Sequence, residues 1–579
     1  MPEPAKNPPA GTILPAAAAI GERGRPASEP TASDVGWWRT AVIYQIYIRS
    51  FADGNGDGFG DIAGIRGRLS YLAALGVDAI WITPWYASPN NDGGYDVRDY
   101  RAIADEYGDV RQAELLIEEA HQHGLRVILD VVPNHTSTEH PWFQAALASP
   151  PGSPQRARYH FRHGRGADGA IAPNDWRSTF GGSAWRRVTE ADGRPGEWYL
   201  HLFDPTQADL NWSSTEVQEE YLDILRFWFD RGADGFRIDV ATGLVKHPDY
   251  PDLGYREDDL LVLTDVPNHP HRDRDEVHAI YRGWRRLADE YEPPRVFVAE
   301  AWVADPQRLA RYVEQAQLHT AFNFPFLQSA WQAEELFTVI DATLQSMALA
   351  GAPPTWVLSN HDVERTVTRY GRADTRKQQG RSGHELGPVD EALGRRRARA
   401  ALMLMLALPG VAYLYQGEEL GLPEHMDIPD ERIQDPIWTR SGGRRRGRDG
   451  CRVPLPWTAT PDDGAGFGSA DPWLPQPAGW ERLSVESRQR DPDSMYHLVT
   501  CALRLRRELD APQELEWASR SRTVLRFRRG PEFECIVNFG AESVPVAADA
   551  AVLLRSDTSE ATRDPLGPDT AAWLRRARP

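Results

Sequence analysis

The sequence predicts an α/β protein built on a closed, parallel (β/α)8 barrel. Eight short β-rich runs lie near residues 43, 80, 128, 236, 297, 322, 357 and 413, and helix-like segments alternate with them. The 579 residues exceed one ordinary domain unless a barrel takes up most of the chain. Because 41% of the residues are hydrophobic, the chain can bury a large core. Eight βα units in sequence favour a closed barrel over an open sheet.

Each predicted strand is a short run of β-branched, aromatic and other apolar residues. In order, the strands are predicted over Val42–Tyr47, Ala79–Ile82, Arg126–Val131, Ala233–Asp239, Val296–Ala299, Ala321–Asn323, Thr355–Leu358 and Val411–Tyr415. Apolar residues at helical spacing predict helices over Ile62–Leu75, Ala113–His123, Val217–Asp230, Glu276–Glu290 and about Val389–Ala407.

Three further segments are predicted outside this alternation. Residues 136–212, rich in Gly, Pro, Trp and His, predict an inserted domain after the third strand, so the barrel comprises residues 35–135 and 213–493. A helix over Tyr496–Leu509 and alternating runs at Ser521–Phe527, Glu534–Phe539 and Val544–Leu554 predict a C-terminal antiparallel β domain, residues 494–579. Residues 1–34, rich in Pro, Ala and Gly, predict a disordered N-terminal extension.

Charge and cysteine content narrow the classes of function. The net charge of -19 argues against a nucleic-acid or anionic-membrane partner and favours a neutral substrate. No apolar run approaches membrane-spanning length, and the start of the chain lacks the pattern of a signal peptide, so we expect a cytoplasmic protein. The three cysteines (Cys451, Cys501 and Cys535) lie far apart and predict neither a zinc site nor a disulfide framework.

Charged side chains cluster where the predicted strands end. In the fourth strand, Arg237 and Asp239 are two residues apart and share one face, so the cation keeps the carboxylate ionised. The other strand ends supply Asp130, His135, Glu300, His361 and Asp362. A structural Arg–Asp pair explains the fourth strand alone, and a single histidine is more often structural. Four carboxylates, two histidines and an arginine on one barrel rim favour a catalytic site.

Two opposed carboxyl groups on a barrel rim are typical of glycoside hydrolysis, whose transition state resembles an oxocarbenium ion. Asp239 suits the ionised role beside Arg237. Glu300 follows the apolar Val296–Ala299, and desolvation there would favour the protonated form that a general acid needs. Asp362, beside His361, is suited to bind sugar hydroxyls more strongly as the ring distorts.

These motifs together resemble the α-amylase superfamily (glycoside hydrolase family 13), in particular its bacterial α-glucosidase and oligo-1,6-glucosidase branch. Four signature regions occur in order: Asp130–His135, Gly235–Asp239, the block ending at Glu300, and Asn360–Asp362. The resemblance implies Asp239 as nucleophile, Glu300 as acid/base and Asp362 as transition-state stabiliser. It also implies that His135, Arg237 and His361 line the same sugar subsite.

Other stretches resemble the glucosidase branch. The loop Gly94–Tyr100 is similar to one whose aspartate holds the terminal glucose, here Asp96, and the block Gln207–Trp212 makes Gln207 a candidate sugar contact. The loop Arg448–Pro454 is similar to one whose arginine closes the pocket, so Arg452 is predicted to pair with Asp96. A closed pocket releases one glucose at a time, whereas an open groove accepts cuts within a chain.

The loop after the first strand has oxygen-bearing side chains at alternating positions with glycines between them, a pattern typical of a hard-cation site. In the enzymes that the chain resembles, such a loop holds structural Ca²⁺ (or Mg²⁺), which here implies ligands from Asp53, Asn55, Asp57, Asp61 and the Phe59 carbonyl. A metal-free loop of Asx turns is the alternative.

The prediction is therefore a retaining, exo-acting α-glucosidase of short α-glucosides, with α-1,4 bonds favoured. Val240, the residue after the nucleophile, leans towards tolerance of α-1,6 bonds. A transglucosylase or isomerase, such as a trehalose synthase or a sucrose-active relative, shares the same catalytic residues and stays open. A non-catalytic glycan-binding relative is disfavoured because every catalytic position is filled. Trp302 is a candidate for stacking on sugar, and Arg365 for lining the pocket.

Overall fold

The computed structural model describes residues 36–254, 269–377, 383–460, 463–468, 471–547, 549–557, 560 and 562–576. The predicted N-terminal extension, residues 1–34, lies outside the described residues. No helix within the described ranges is both long and apolar enough to cross a membrane.

The eight predicted strands form one parallel sheet that curls into a nearly closed barrel, which confirms the predicted fold class. Numbered in chain order, they are β1 Val42–Ile46, β2 Ala79–Ile82, β3 Arg126–Val131, β4 Gly235–Ile238, β5 Val296–Ala299, β6 Thr320–Ala321, β7 Thr355–Val357 and β8 Val411–Tyr415. Hydrogen-bonded neighbours run β6-β5-β4-β3-β2-β1-β8-β7. In this register Arg237 lies opposite Asp130 on β3 and Val298 on β5, so three catalytic motifs meet at one edge.

Most predicted helices are present with small shifts at their ends. The helices include α1 Ile62–Arg66, α2 Leu69–Leu75, α3 Val110–Gln122, α4 Thr215–Phe229, α5 Val277–Ala288, α6 Ala333–Ala350, α7 Glu391–Ala407 and α8 Met495–Leu509. Aspartates cap several N-termini; Asp109, for instance, accepts the Gln112 N–H and begins α3. The single helix predicted over residues 62–75 is wrong: α1 ends at Gly67 and a second helix starts after Arg68.

An aromatic cluster fills the barrel beneath the strand ends. The rings of Trp81, Phe322 and Tyr413 are buried and pack with centroids 4.7–6.2 Å apart. The Trp81 indole N–H donates to Asp130 Oδ2 at 3.2 Å, so this hydrophobic cluster also supports the polar residues above it.

The segment between β3 and β4 contains a small sheet of Phe161–Arg162, Pro195–Leu200 and Trp185–Thr189. A separate two-stranded ladder pairs His135–Ser137 with Gln207–Asp209 and brings the end of the insertion back to the start of it. The insertion therefore stands over the carboxyl ends of the barrel strands, where the sequence predicts an inserted domain.

The C-terminal part is a five-stranded antiparallel sheet, as predicted. Its strands are β9 Glu516–Arg520, β10 Val524–Arg529, β11 Phe533–Asn538, β12 Ala550–Arg555 and β13 Thr570–Arg576, in the order β9-β10-β11-β13-β12. The strand predicted over residues 544–554 starts only at Ala550, while Val544 forms an isolated bridge with Leu566. The sheet docks on α7, where the Trp573 indole donates to the Met403 carbonyl at 3.1 Å.

Candidate active site

One arginine binds three carboxylates at the carboxyl ends of β3, β4 and β5. Arg237 Nη1 lies 3.0 Å from Asp130 Oδ1 and 2.7 Å from Asp239 Oδ1, and Nη2 lies 2.7 Å from Glu300 Oε2. Since one planar guanidinium spans both, the Asp239 and Glu300 oxygens are no more than roughly 8 Å apart. The two carboxyl groups predicted to act together are therefore on the same wall of the site. Arg237 itself is buried and holds them without facing the cavity.

The three carboxylates around Arg237 cannot all be ionised at once. Burial raises the pKa of Asp239, and the neighbouring carboxylates raise it further against the lowering effect of Arg237. Burial also raises the pKa of Asp130 to about 7. One cation thus faces three potential anions in a buried setting, so the cluster retains a proton near neutral pH. A general acid/base pair needs one proton that moves between its members, and this cluster supplies it.

Glu300 is held by two further donors. The Val240 N–H donates to Glu300 Oε2 at 3.0 Å, and the Trp302 indole N–H donates to Oε1 at 3.0 Å. The surroundings of Glu300 are therefore not purely apolar, because Arg237 and these two N–H groups contact its carboxyl oxygens. Val240 also has φ of +46°, an unusual backbone conformation for a β-branched residue.

Two arginines hold Asp362 in its ionised form. Its Oδ1 accepts from Arg448 Nη1 at 3.0 Å and Arg452 Nη2 at 2.8 Å, and His361 Nε2 is 3.3 Å from Oδ2. Burial raises the pKa of Asp362, but the positive charges of Arg448, Arg452 and Arg237 outweigh burial and hold it below its ordinary value. The carboxylate is therefore ionised at neutral pH, as the predicted transition-state stabiliser requires.

The predicted pair of Asp96 and Arg452 is wrong. Asp96 is fully buried and accepts the Asn91 N–H and the Ser88 hydroxyl, both at 2.9 Å, and burial raises its pKa to about 6. Asp92 lines the cavity instead and accepts from Arg448 Nη2 at 2.8 Å. Arg452 donates to Asp362 and to the His361 carbonyl. The charged pair at the closed end of the cavity is therefore Asp92–Arg448, in which each residue lies four positions before the one predicted.

The remaining predicted sugar-site residues form one buried network. His135 lines the cavity, and its Nε2 contacts the Tyr95 carbonyl and Gln207 Nε2 at 3.0 and 3.1 Å. The Gln207 amide also donates to Asp92 Oδ2 at 3.1 Å. Tyr95 OH contacts His361 Nε2 at 2.8 Å. Burial lowers the pKa of His135 to about 4 and that of His361 to about 3, so both rings are neutral at physiological pH.

Four of the predicted catalytic and substrate-binding residues line one cavity of about 380 Å³, whereas the others lie behind its wall; the four are His135, Asp239, Glu300 and Asp362. Asp239, Glu300 and Asp362 line it together with Phe180 and Phe203 from the insertion. Phe180 lies beneath the Arg448 guanidinium at 5.3 Å and helps to close that end. A concave site of this size, with aromatic walls and a few convergent charges, fits a small sugar molecule.

Two other residues do not take the roles considered for them. Trp302 stacks on Phe324 at 3.6 Å on one face and carries Lys377 Nζ 4.3 Å from the ring centroid, so its ring is not free to stack on sugar. Arg365 is buried and donates to the Gln416 and Cys451 carbonyls, so it supports loops behind the site.

In the loop after β1, the predicted metal ligands are engaged by backbone N–H groups. The two Asp53 carboxylate oxygens accept hydrogen bonds from the Gly56 and Gly58 N–H groups, and Asp57 Oδ1 accepts one from the Phe59 N–H. Asp61 caps α1 by accepting the Gly64 N–H. Over the ranges the structure describes, no three His, Cys, Asp or Glu side chains are grouped to hold a metal ion. These Asx-turn contacts are those of the metal-free alternative. The donors are nevertheless all oxygens, and each Asp53 oxygen accepts one N–H, so the chemistry of the set suits a hard cation.

A (β/α)8 barrel with paired carboxylates at its strand ends is typical of catalytic domains that cleave glycosidic bonds. Comparison with known proteins supports this class. Residues 45–514 match the alpha-amylase family model, described as the alpha amylase catalytic domain. The chain therefore belongs to the α-amylase family.

Relatives of this chain include enzymes of more than one specificity. An oligo-1,6-glucosidase of Parageobacillus thermoglucosidasius is 33% identical over 508 residues, covering 82% of this chain and 84% of that protein. A trehalose-6-phosphate hydrolase of Bacillus subtilis is 34% identical over 511 residues, covering 83% and 84%. Among solved structures, an α-glucosyl transfer enzyme superposes with a TM-score of 0.80 at 34% identity, covering 93% of this chain and 99% of that one.

Proposed function

We propose that this protein is a retaining, exo-acting α-glucosidase that releases glucose from the non-reducing end of short α-glucosides. The observation that carries this proposal is the bridge of Asp239 and Glu300 by Arg237 at the floor of a cavity closed by Asp92–Arg448. Similarity to an oligo-1,6-glucosidase supports the reaction class. Bonds of the α-1,4 type are favoured, and α-1,6 bonds are also accepted.

The proposed reaction is a double displacement. Asp239 attacks the anomeric carbon while Glu300 gives a proton to the departing oxygen, which requires the shared proton of the Arg237 cluster to reside on Glu300 when substrate binds. Asp362, fixed by Arg448 and Arg452, stabilises the positive charge that develops on the sugar ring. Glu300 then removes a proton from water, which displaces the sugar from Asp239 with net retention of configuration.

The exo preference follows from the closed end of the cavity. Asp92 and Arg448 form an ion pair at 2.8 Å, and Phe180 from the insertion packs against the arginine. A longer glucan cannot continue past this pair, so only a terminal glucose fits beyond the bond to be cleaved. His135, Gln207 and His361 support this end from behind.

The test is a pair of isosteric variants, Asp239→Asn and Glu300→Gln, assayed with 4-nitrophenyl α-glucoside. Each is expected to lose about 10³-fold or more in kcat, because each removes a group that acts in a chemical step. Asp249→Asn, an exposed carboxylate outside the cavity, serves as the matched control. Near-normal turnover by either active-site variant would refute the assignment, and proton NMR of the first sugar released would reveal inversion if the mechanism were not retaining.

A second candidate is transfer of glucose to another sugar, favoured by the likeness to an α-glucosyl transfer enzyme over 93% of the chain. Both reactions share the glucosyl-enzyme and differ in whether water or a sugar attacks it. Products from maltose, isomaltose, sucrose and trehalose, sampled over time, separate the two: free glucose alone indicates hydrolysis, and new disaccharides indicate transfer.

The proposal includes a structural Ca²⁺ (or Mg²⁺) in the loop after β1. Asp53, Asn55, Asp57, Asp61 and the Phe59 carbonyl would hold it, and the ion would cross-link a glycine-rich turn that otherwise depends on Asx hydrogen bonds. A cytoplasmic location is also part of the proposal.

A further inference from the structure

Lysine is rare in this chain, and one of its lysines lies in the active-site cavity. The sequence has 62 arginines but three lysines, Lys6, Lys246 and Lys377. Lys246 is buried in an ion pair with Asp209 at 2.8 Å, and Lys6 lies outside the described residues. Lys377 lines the cavity. Arginine supplies nearly all the side-chain cations of this protein, so a lysine ammonium group in the cavity is a distinctive feature of the site.

Lys377 stands on the side of the cavity from which the leaving group departs. Its Nζ lies 4.3 Å from the centre of the Trp302 ring, opposite the face that Phe324 covers. The indole N–H of that same ring donates to Glu300 Oε1 at 3.0 Å. Because Glu300 is the group that protonates the departing oxygen, an ammonium group beside Trp302 faces the leaving group rather than the terminal glucose.

The Lys377 ammonium has no anionic partner among the residues that the structure describes. Its nearest carboxylates are those of Asp362 and Glu300, which act on it only at longer range. Burial lowers the pKa of Lys377 to about 8, so the group is mostly charged at neutral pH while partly removed from water. A cation in this setting is stabilised by a ligand that brings its own negative charge.

The carboxylates that line the cavity already have cationic partners or are protonated. Arg448 and Arg452 neutralise Asp92 and Asp362, Arg237 serves Asp239 and Glu300, and Arg372 pairs with Glu364. Burial raises the pKa of Glu424 to about 8, which leaves it protonated at neutral pH. Among the described residues, no lining carboxylate is therefore left to neutralise Lys377, or Arg445, which also lines the cavity. This local positive charge occurs in a chain whose net charge is -19.

We propose that the leaving-group side of the cavity binds an anionic group, a phosphate or a carboxylate, and that Lys377 is the residue that contacts it. The preferred substrate is then an α-glucoside whose leaving group is negatively charged. This inference rests on the proposed function and narrows its substrate class. The glycosidic bond is cleaved as for a neutral substrate, and the anionic leaving group departs with the proton that Glu300 supplies.

The experiment compares matched substrates that differ in charge on the leaving group. One pair is trehalose and trehalose 6-phosphate; the other is 4-carbamoylphenyl and 4-carboxyphenyl α-glucoside, whose leaving groups have similar shape. For the wild-type protein we expect the ratio of kcat/KM, anionic over neutral, to be about 10 or more in at least one pair, the size of one charge-assisted hydrogen bond. A high ratio in one pair alone identifies phosphate or carboxylate as the group recognised.

Variants then assign the ratio to Lys377. Lys377→Met is expected to bring the ratio to about 1, whereas Lys377→Arg, which keeps the charge, retains most of it. Arg311→Gln, whose side chain is paired with Asp275 away from the cavity, serves as the control and keeps the wild-type ratio. Thermal unfolding of each variant shows whether the fold is intact, and a ratio is insensitive to partial loss of active protein.

Two results overturn the inference while the proposed function stands: neutral substrates release glucose but the wild-type ratio is near or below 1, or the ratio survives in Lys377→Met. If no substrate of either pair releases glucose, the proposed function fails, and the inference fails with it.

Discussion

Replacing Asp130 by asparagine tests whether the buried carboxylates around Arg237 control one another. Asp130 Oδ1 and Asp239 Oδ1 lie 3.0 and 2.7 Å from the same Arg237 nitrogen, so they are at most about 6 Å apart. At an effective dielectric constant of roughly 20, two negative charges at that separation repel by about 3 kcal/mol. That energy corresponds to ~2 pKa units.

The sign of the effect follows from the role of Asp239. Burial and the neighbouring carboxylates raise the pKa of Asp239, and a nucleophile must be ionised. Removing the negative charge of Asp130 lowers the pKa of Asp239 and leaves Arg237 more available to it. The acid limb of the kcat/KM profile should therefore move to lower pH by up to ~2 units.

The assay is a profile of kcat/KM against pH with 4-nitrophenyl α-glucoside, because this parameter reports groups of the free enzyme. Tyr86→Phe is the matched control: the Tyr86 hydroxyl donates to the Asp130 backbone carbonyl at 2.7 Å, so its loss perturbs the same residue without a change of charge. An acid limb that stays in place in Asp130→Asn, or that moves to higher pH, would show that the nucleophile does not sense this carboxylate.

Three further outcomes are expected. Arg448→Gln should lower kcat/KM by roughly 10- to 150-fold through lost charge-assisted hydrogen bonds at the closed end, while the exposed Arg444→Gln leaves it unchanged. When Ca²⁺ is added back to chelator-treated protein at 100 times its Kd, the free energy of unfolding should increase by about 2.7 kcal/mol, seen as a higher Tm. Asp57→Asn should reduce this increase in Tm. An equal increase in the variant would exclude the loop as the site. Burial raises the pKa of the Cys451 thiol, so a thiol reagent should modify the half-buried Cys501 first in native protein, and rapid loss of Cys451 would contradict its packing.

The barrel is largely predictable from the sequence because its strands are buried on both faces. A strand covered by helices outside and side chains inside must be a nearly continuous apolar run, and such runs are easily located. The residues at and just beyond the end of each run then fall on the carboxyl rim of the barrel, which is why Asp239, Glu300 and Asp362 could be placed there from the sequence.

Loop residues were harder to assign, as the pair Asp92 and Asp96 illustrates. Both lie in one short loop, and Gly93 and Gly94 between them have φ of +58° and +96°. These left-handed turns direct Asp96 back onto the amides of its own loop and leave Asp92 facing the cavity. Glycine permits such turns but does not specify which neighbour points inward, so the sequence pattern could not distinguish the two aspartates.

The sequence also gave no indication that Glu300 would be surrounded by donors. The run Val296–Ala299 suggested an apolar site because the pattern describes only the strand itself. The donors come from elsewhere: Arg237 on the adjacent strand, the Val240 backbone and the Trp302 side chain. Contacts between strands depend on register and on backbone conformation, neither of which can be read from a single run of letters.

The left-handed conformation of Val240 links two properties that protein engineers usually treat as separate. Changing this side chain to redirect linkage choice also alters how readily the backbone keeps its amide pointed at Glu300. A glycine would adopt the conformation without strain yet hold it less rigidly, and a bulkier branched residue would resist it. Selectivity gained at this position is thus coupled to the alignment of the proton donor, and libraries that vary residue 240 should be screened for turnover as well as for product.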